Sequence, residues 1–109
     1  MNDLDICKKI AEIDGVKVSL SVMQLGDELI PTGRGFIDSD FQQYNPLTDD
    51  ALCFQLMIKY RCKLSQYSDG FHAFSMWEHH NSGDSVLHKT ANKAICLAII
   101  EAHKDNNEN

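Results

Sequence analysis

The sequence predicts an α+β fold: a mainly antiparallel sheet of roughly three to five strands, with about three helices packed on one or both faces. Three patterns carry this expectation. Apolar residues recur at helical spacing in segments 4–14, 51–60 and 91–103. They alternate with polar residues at period two over Val16–Met23. Two further strand-like runs, Arg61–Tyr67 and Phe71–Glu78, flank the turn signal Ser68-Asp69-Gly70.

The first helix is expected over Leu4–Asp14, with Asp3 as its N-cap. Leu4, Ile6, Cys7, Ile10, Ala11 and Ile13 fall on one arc of the helical wheel, and Asp5, Lys8, Lys9 and Glu12 on the other. Gly15 is placed to close it in a left-handed cap. In the strand that follows, Val16, Val18, Leu20 and Val22 are expected on a buried face, and Lys17, Ser19 and Ser21 on a wet one. Gly26, Pro31, Gly33 and Gly35 punctuate segment 24–35, which reads as turn and loop before a short strand at Gly35–Ile37.

The second helix follows Asn45-Pro46, with Thr48 as its cap. Asp49 and Asp50 sit in the first turn, where negative charge suits the helix dipole. From Ala51 to Tyr60 only Gln55 and Lys59 are strongly polar, so most of this helix is expected to be buried. Ser85–His88 reads as a short edge strand, and Thr90 as the cap of a last helix over Ala91–His103. Ala91, Ala94, Ile95, Ala98 and Ala102 form a small-residue stripe there, suited to close packing on a sheet. One domain over residues 1–104 and a polar tail over 105–109 are expected.

Composition narrows the function classes. Of the 109 residues, 43% are hydrophobic and 24% charged, as in an ordinary globular chain. Sixteen acids oppose ten bases, for a net charge of −6, and only Arg34 and Arg61 are arginines. Phosphate binding leans on clustered Arg and Lys, so direct nucleic-acid contact is not expected. No apolar run approaches the ~20 residues that cross a bilayer, so no membrane contact is expected either. The segment Met1–Ile10 lacks an apolar h-region and carries Asp3 and Asp5, unlike a secretory signal. The four cysteines, Cys7, Cys53, Cys62 and Cys96, are scattered without a C-x-x-C pair and are expected as reduced thiols in a reducing compartment.

Three segments share a further pattern. Asn45-Pro46-Leu47-Thr48-Asp49-Asp50-Ala51 opens a buried helix. The aromatic run Phe71-His72-Ala73-Phe74-Ser75-Met76-Trp77 follows. Thr90-Ala91-Asn92-Lys93-Ala94-Ile95-Cys96-Leu97-Ala98-Ile99-Ile100-Glu101-Ala102 closes the chain. Together these resemble the phage ABA-sandwich domain family of small phage and prophage accessory proteins, over about residues 44–102. The resemblance implies an α-β-α sandwich in the cytoplasm of a bacterial host cell. It implies no catalytic residue.

Each candidate site has a plainer reading beside it. Glu78, His79, His80, Asp84 and His88 form the densest set of metal-ligand side chains. Adjacent histidines on a strand point to opposite faces, and the spacing fits no zinc motif, so a polar solvated loop is the first reading and no metal or other cofactor is expected. Asp38-Ser39-Asp40 could hold a hard cation, but lacks the ladder of oxygen ligands such sites use, and reads first as a turn. Pro31-Thr32-Gly33-Arg34-Gly35 resembles a phosphate cradle in composition only, because no helix follows to aim its N–H groups. Cys7, Cys53 and Cys96 fall within apolar helical patterns, and none of the four cysteines is followed by a Cys-His arrangement. Phe71, Phe74, Met76 and Trp77 read first as core; if one sheet face is only partly covered, Phe74 or Trp77 would anchor a partner. The acidic pairs Asp3/Asp5, Asp27/Glu28, Asp38/Asp40 and Asp49/Asp50 could line a surface that imitates a nucleic-acid backbone, against the plainer reading of a soluble exterior.

The leading expectation is therefore a small acidic accessory protein that is not an enzyme. It would bind and modulate a host protein through residues such as Asp38, Asp40, Asp49, Asp50, Phe74, Trp77 and Arg34, and inhibition of a bacterial defence system, CRISPR included, belongs to this class. The alternative is a domain that sequesters a small molecule or nucleotide, with Arg34, Arg61, Lys63 and the 31–35 loop as donors. An enzyme using His79, His80 and His88 or Asp38 and Asp40 stands third. A homodimer through the last helix or an edge strand is compatible with each of them.

Overall fold

Asn2 opens the first helix. Its side-chain oxygen accepts from the backbone N–H of Asp5 at 2.8 Å, so the cap lies one residue before the expected Asp3. This is seen in a computed structural model, which describes residues 1–75 and 86–104. Helix α1 spans Asp3–Asp14 and ends where Gly15 takes the left-handed conformation, φ 74°. Its inward arc is Ile6, Cys7, Ile10 and Ala11, all buried. Ile6 and Ile10 are fully inaccessible to solvent, and each contributes about 1.5–3 kcal/mol of transfer free energy.

The fold is α+β. The described residues form three helices and two antiparallel three-stranded sheets. The chain divides into two compact units, Met1–Asn45 and Pro46–Asn109. The first holds α1, β1 (Ser19–Leu25), β2 (Glu28–Ile37) and β3 (Gln43–Tyr44), with sheet order β1-β2-β3. The second holds α2 (Asp50–Lys59), β4 (Cys62–Tyr67), β5 (Gly70–Ser75), β6 (Val86–His88) and α3 (Ala91–Ala102), with order β4-β5-β6.

In the first unit the segment expected as loop is mostly strand. A two-residue turn, Gly26-Asp27, joins β1 to β2, with Leu25 opposite Glu28. Gly26 at φ 66° leads the turn, as a tight hairpin requires. Further along, Leu20 pairs with Phe36 but Val22 pairs with Pro31, so Ser21 alone faces the four residues Thr32–Gly35. That large bulge is why the strand read as loop. Gly33 and Gly35 sit at φ 83° and 76° inside it, which a side chain would resist. Thr32 fastens it: its hydroxyl and that of Ser21 share a hydrogen bond at 2.9 Å, and Thr32 Oγ1 accepts from the Arg34 N–H.

The expected alternation holds over Val16–Ser19, where Val16 and Val18 are half-buried and Lys17 and Ser19 exposed, but it does not continue through β1. Ser21 is buried, whereas Leu20, Val22, Met23 and Leu25 are 37%, 43%, 50% and 64% exposed.

In the second unit Asp49, rather than Thr48, caps α2, accepting from the Leu52 N–H at 3.1 Å. Only Cys53 and Leu56 of α2 are buried; Phe54 and Ile58 are 57% and 61% exposed, so the helix is not covered all round. Helix α3 buries Ala94, Ile95, Cys96, Ala98, Ile99, Ile100 and Ala102 and packs along β5, as its small-residue stripe predicts. Thr90 stands at its cap position but makes no side-chain cap bond. Asn92 ties α3 to the start of α2 through the Leu47 carbonyl at 3.2 Å and the Asp50 carboxylate at 2.9 Å. Ser75, buried at the end of β5, donates to the Tyr60 carbonyl at 2.7 Å.

Candidate functional site

The β4–β5–β6 sheet has two unlike faces. Antiparallel register places Lys63 opposite Phe74, Ser65 opposite His72, and Tyr67 opposite Gly70, with Leu87 beyond His72. Partners in an antiparallel ladder share a face, so Lys63, Ser65, Tyr67, His72, Phe74 and Leu87 stand on one side. Cys62, Leu64, Ala73, Ser75 and Val86 stand on the other. Ala73 and Ser75 are buried and α3 packs on β5, so the helix covers this second side. Helix α2 contacts β4 and α3. Among the described residues, no helix of this unit packs on the first side. Tyr67 and Leu87 are 56% and 47% exposed, and Phe74 and His72 are half-buried. Tyr67 and His72 meet edge to face, with ring centroids 4.7 Å apart. Phe74 is thus neither wholly core nor wholly free.

Two of the four acidic candidates, Asp38 and Asp49, hold backbone N–H groups. Asp38 Oδ1 accepts from the N–H groups of Asp40 and Gln42 at 2.9 and 3.0 Å, and the Asp38 carbonyl accepts from Phe41. That tight turn holds Phe41 at φ 60° with its ring 80% exposed. Asp49 is the α2 cap and Asp50 receives Asn92. Asp40 remains exposed in the same turn as Asp38. Arg34 is exposed in the β2 bulge, and its carbonyl accepts from Gln43 Nε2 at 2.7 Å. The bulge lines a concavity of about 230 Å³ with Leu4, Leu20, Gln43 and Asn45. Small-molecule sites usually enclose about 300–1,000 Å³, so this one is small for a nucleotide. His88 Nδ1 receives the Thr90 N–H at 3.2 Å. Trp77, His79 and His80 lie outside the described residues, as do Glu78 and Asp84. Among the described residues no three His, Cys, Asp or Glu side chains converge as metal ligands.

The thiols divide by environment. The Cys96 thiol beside Cys53 holds the Cys53 thiol below its usual range, against burial and the nearby Asp50 and Asp49 carboxylates. Burial pushes Cys62 up to about 12, with a partial offset from the Ser75 hydroxyl. At neutral pH Cys62 is therefore a protonated, weakly nucleophilic thiol. None of the four cysteines is in a disulfide, and Cys7, Cys53 and Cys96 are buried.

The open sheet face was only partly legible in the sequence. Period-two alternation places Phe74 with His72. It does not show that Tyr67 and Leu87 join them, because that depends on strand register. Comparison with family models, curated proteins and solved structures finds no match for this chain, so the family resemblance rests on the three quoted segments alone.

Proposed function

We propose that this chain is a non-enzymatic protein-binding domain that docks a partner protein on the open face of its β4–β5–β6 sheet. The observation that supports the reading is the row of Tyr67, His72, Phe74 and Leu87 on a face that, among the described residues, carries no helix of the unit and leaves Tyr67 and Leu87 about half exposed. Partly exposed aromatic side chains on adjacent strands gain free energy when a partner excludes water from them, at about 25 cal/mol per Å² of apolar surface. The ladder already fixes their spacing, so little conformational freedom is lost on docking. Large aromatics held in this way are the residue type that dominates binding energy at protein interfaces. Lys63 and Ser65 on the same face supply a polar margin. The resemblance in segments 44–102 adds the partner class: a protein of a bacterial host whose activity the domain modulates, defence factors included.

The test is affinity capture from bacterial lysate with the tagged chain, run beside a Tyr67→Ser/Leu87→Ser variant whose folding is checked by circular dichroism. Both substituted residues are about half exposed, so the fold survives the change. The expected result is one stoichiometric protein held by the wild type and lost by the variant. Equal retention by both sinks the assignment to this face. A retained nucleotide or metal with no protein sinks the protein-binding reading itself.

A further inference from the structure

We infer that β1 is a self-association edge, on which a second copy of this chain pairs antiparallel about a two-fold axis at Val22. Strand β1 has one hydrogen-bonded neighbour, β2, among the described residues, so its outer side presents open backbone groups. Soluble proteins protect such edges with lysine, proline or extreme shortness. Ser19–Leu25 has seven residues and none of these devices: it carries no charge, no proline and no glycine. Its apolar side chains are exposed as well, Leu25 to 64%.

Charge and register select the occupant. The strand is flanked by Lys17 on its N-terminal side and by Asp27 and Glu28 on its C-terminal side, and all three are exposed. A second copy laid antiparallel sets the basic end of each strand beside the acidic end of the other, twice by symmetry. A parallel copy would set like charges together. The hydrogen-bond phase agrees. Leu25 and Glu28 close the two-residue turn, so the backbone of Leu25 faces β2, and the alternation of an antiparallel ladder turns Met23 the same way. The Ser21 carbonyl accepts from Thr32 Oγ1 on β2, which fixes Ser21 in that inward set. Leu20, Val22 and Gln24 therefore direct their N–H and C=O groups to the open side. A two-fold axis through Val22 pairs Val22 with its own copy and Leu20 with Gln24 of the other chain, so outward groups meet outward groups throughout. The same register carries Lys17 of each chain towards the Gly26-Asp27 turn of the other, where Asp27 is exposed. The pairing uses only the first unit and leaves the open face of β4–β6 out of the contact it specifies.

The experiment is sedimentation equilibrium of the full chain over a wide concentration range. It compares the wild type with Val22→Pro, Lys17→Glu and the charge-swapped Lys17→Glu/Asp27→Lys. The wild type is expected to reach twice the chain mass. Val22→Pro removes an outward N–H while sparing the β1–β2 ladder and is expected to stay monomeric. Lys17→Glu turns two attractions into two repulsions and is expected to weaken the dimer roughly tenfold. The swap is expected to restore it, and because neither of its residues lies within β1 it controls for misfolding. A wild type that stays monomeric to about 1 mM overturns the inference, since pairing weaker than that is not specific association. A dimer indifferent to all three variants overturns it equally, because another surface then holds the copies together.

Discussion

Replacing Gly70 with alanine is expected to be among the most damaging single changes on the surface of the second unit. Gly70 begins β5 at φ 144°, a conformation that side-chain-bearing residues avoid. A Cβ built there lies 2.7 Å from the His88 carbonyl oxygen, 3.2 Å from its carbon and 3.4 Å from Leu87 Cδ1. The oxygen belongs to the backbone of β6, which is held to β5 by the pairs Phe71–His88, His72–Leu87 and Ala73–Val86. It cannot retreat without loosening that ladder. Backbone strain alone contributes about 1–3 kcal/mol, and the displaced strand brings the total to about 2–4 kcal/mol. With a urea slope of about 1–3 kcal/mol/M, the unfolding midpoint should fall by about 0.7–4 M at unchanged slope. Gly26→Ala is the control: Gly26 also has positive φ, at 66°, but nothing lies within 4 Å of its built Cβ. Its cost is the conformational part only, about 1–2 kcal/mol. The readout is urea denaturation followed by far-ultraviolet circular dichroism. If Gly70→Ala loses no more stability than Gly26→Ala, the close approach of β6 to Gly70 is refuted.

Other changes test the packing from different directions. Ser75→Ala removes the donor to the Tyr60 carbonyl and should cost about 1–3 kcal/mol, while Ser65→Ala on the exposed side of β4 should stay within about 0.5 kcal/mol, both by urea titration. Asp49→Ala should destabilise by about 1 kcal/mol through loss of the α2 cap, and Thr90→Ala by clearly less, since Thr90 makes no side-chain cap bond. Cys62 keeps its proton in the folded state up to about 12 and in the unfolded state only to about 9.0. The folded state therefore holds the extra proton between these values. The stability this group contributes is complete below pH 9 and is lost as pH rises from 9 towards 12. The stability of the wild type relative to Cys62→Ser should accordingly be smaller at pH 10.5 than at pH 8, and a difference constant across that interval would contradict the buried setting of the thiol.

Local chemistry made the helices readable. Three of the nine described elements are helices, and each has its apolar period and a terminal signal within one or two residues of its ends. Gly15 closes α1 as its position suggests, and the caps differ by a single residue, Asn2 for Asp3 and Asp49 for Thr48, because several capping side chains stand next to one another. The β4–β5 hairpin was legible for the same reason, through Ser68-Asp69-Gly70. The strand β2 was not. Glycines at 33 and 35 that signal a loop serve instead as the positive-φ positions of a bulge, and the two uses look alike in one dimension. The Gly26-Asp27 turn was the available clue, flanked by Val22-Met23-Gln24-Leu25 and Glu28-Leu29-Ile30.

The sequence by itself determined the α+β class, the three helices and the β4–β5 hairpin. These depend on interactions between residues a few positions apart. Only the tertiary structure decided which side of each pattern is covered. Alternation predicts two unlike faces for β1, yet Ser21 is the buried residue and Val22 the exposed one. The period of α2 is apolar nearly all round, yet Phe54 and Ile58 face water. Strand pairing likewise separates the strands into two sheets and brings Tyr67, His72 and Leu87 together on one side. The physical reason is that burial and register are set by contacts between distant segments, and a local pattern fixes the spacing of side chains without fixing what lies opposite them.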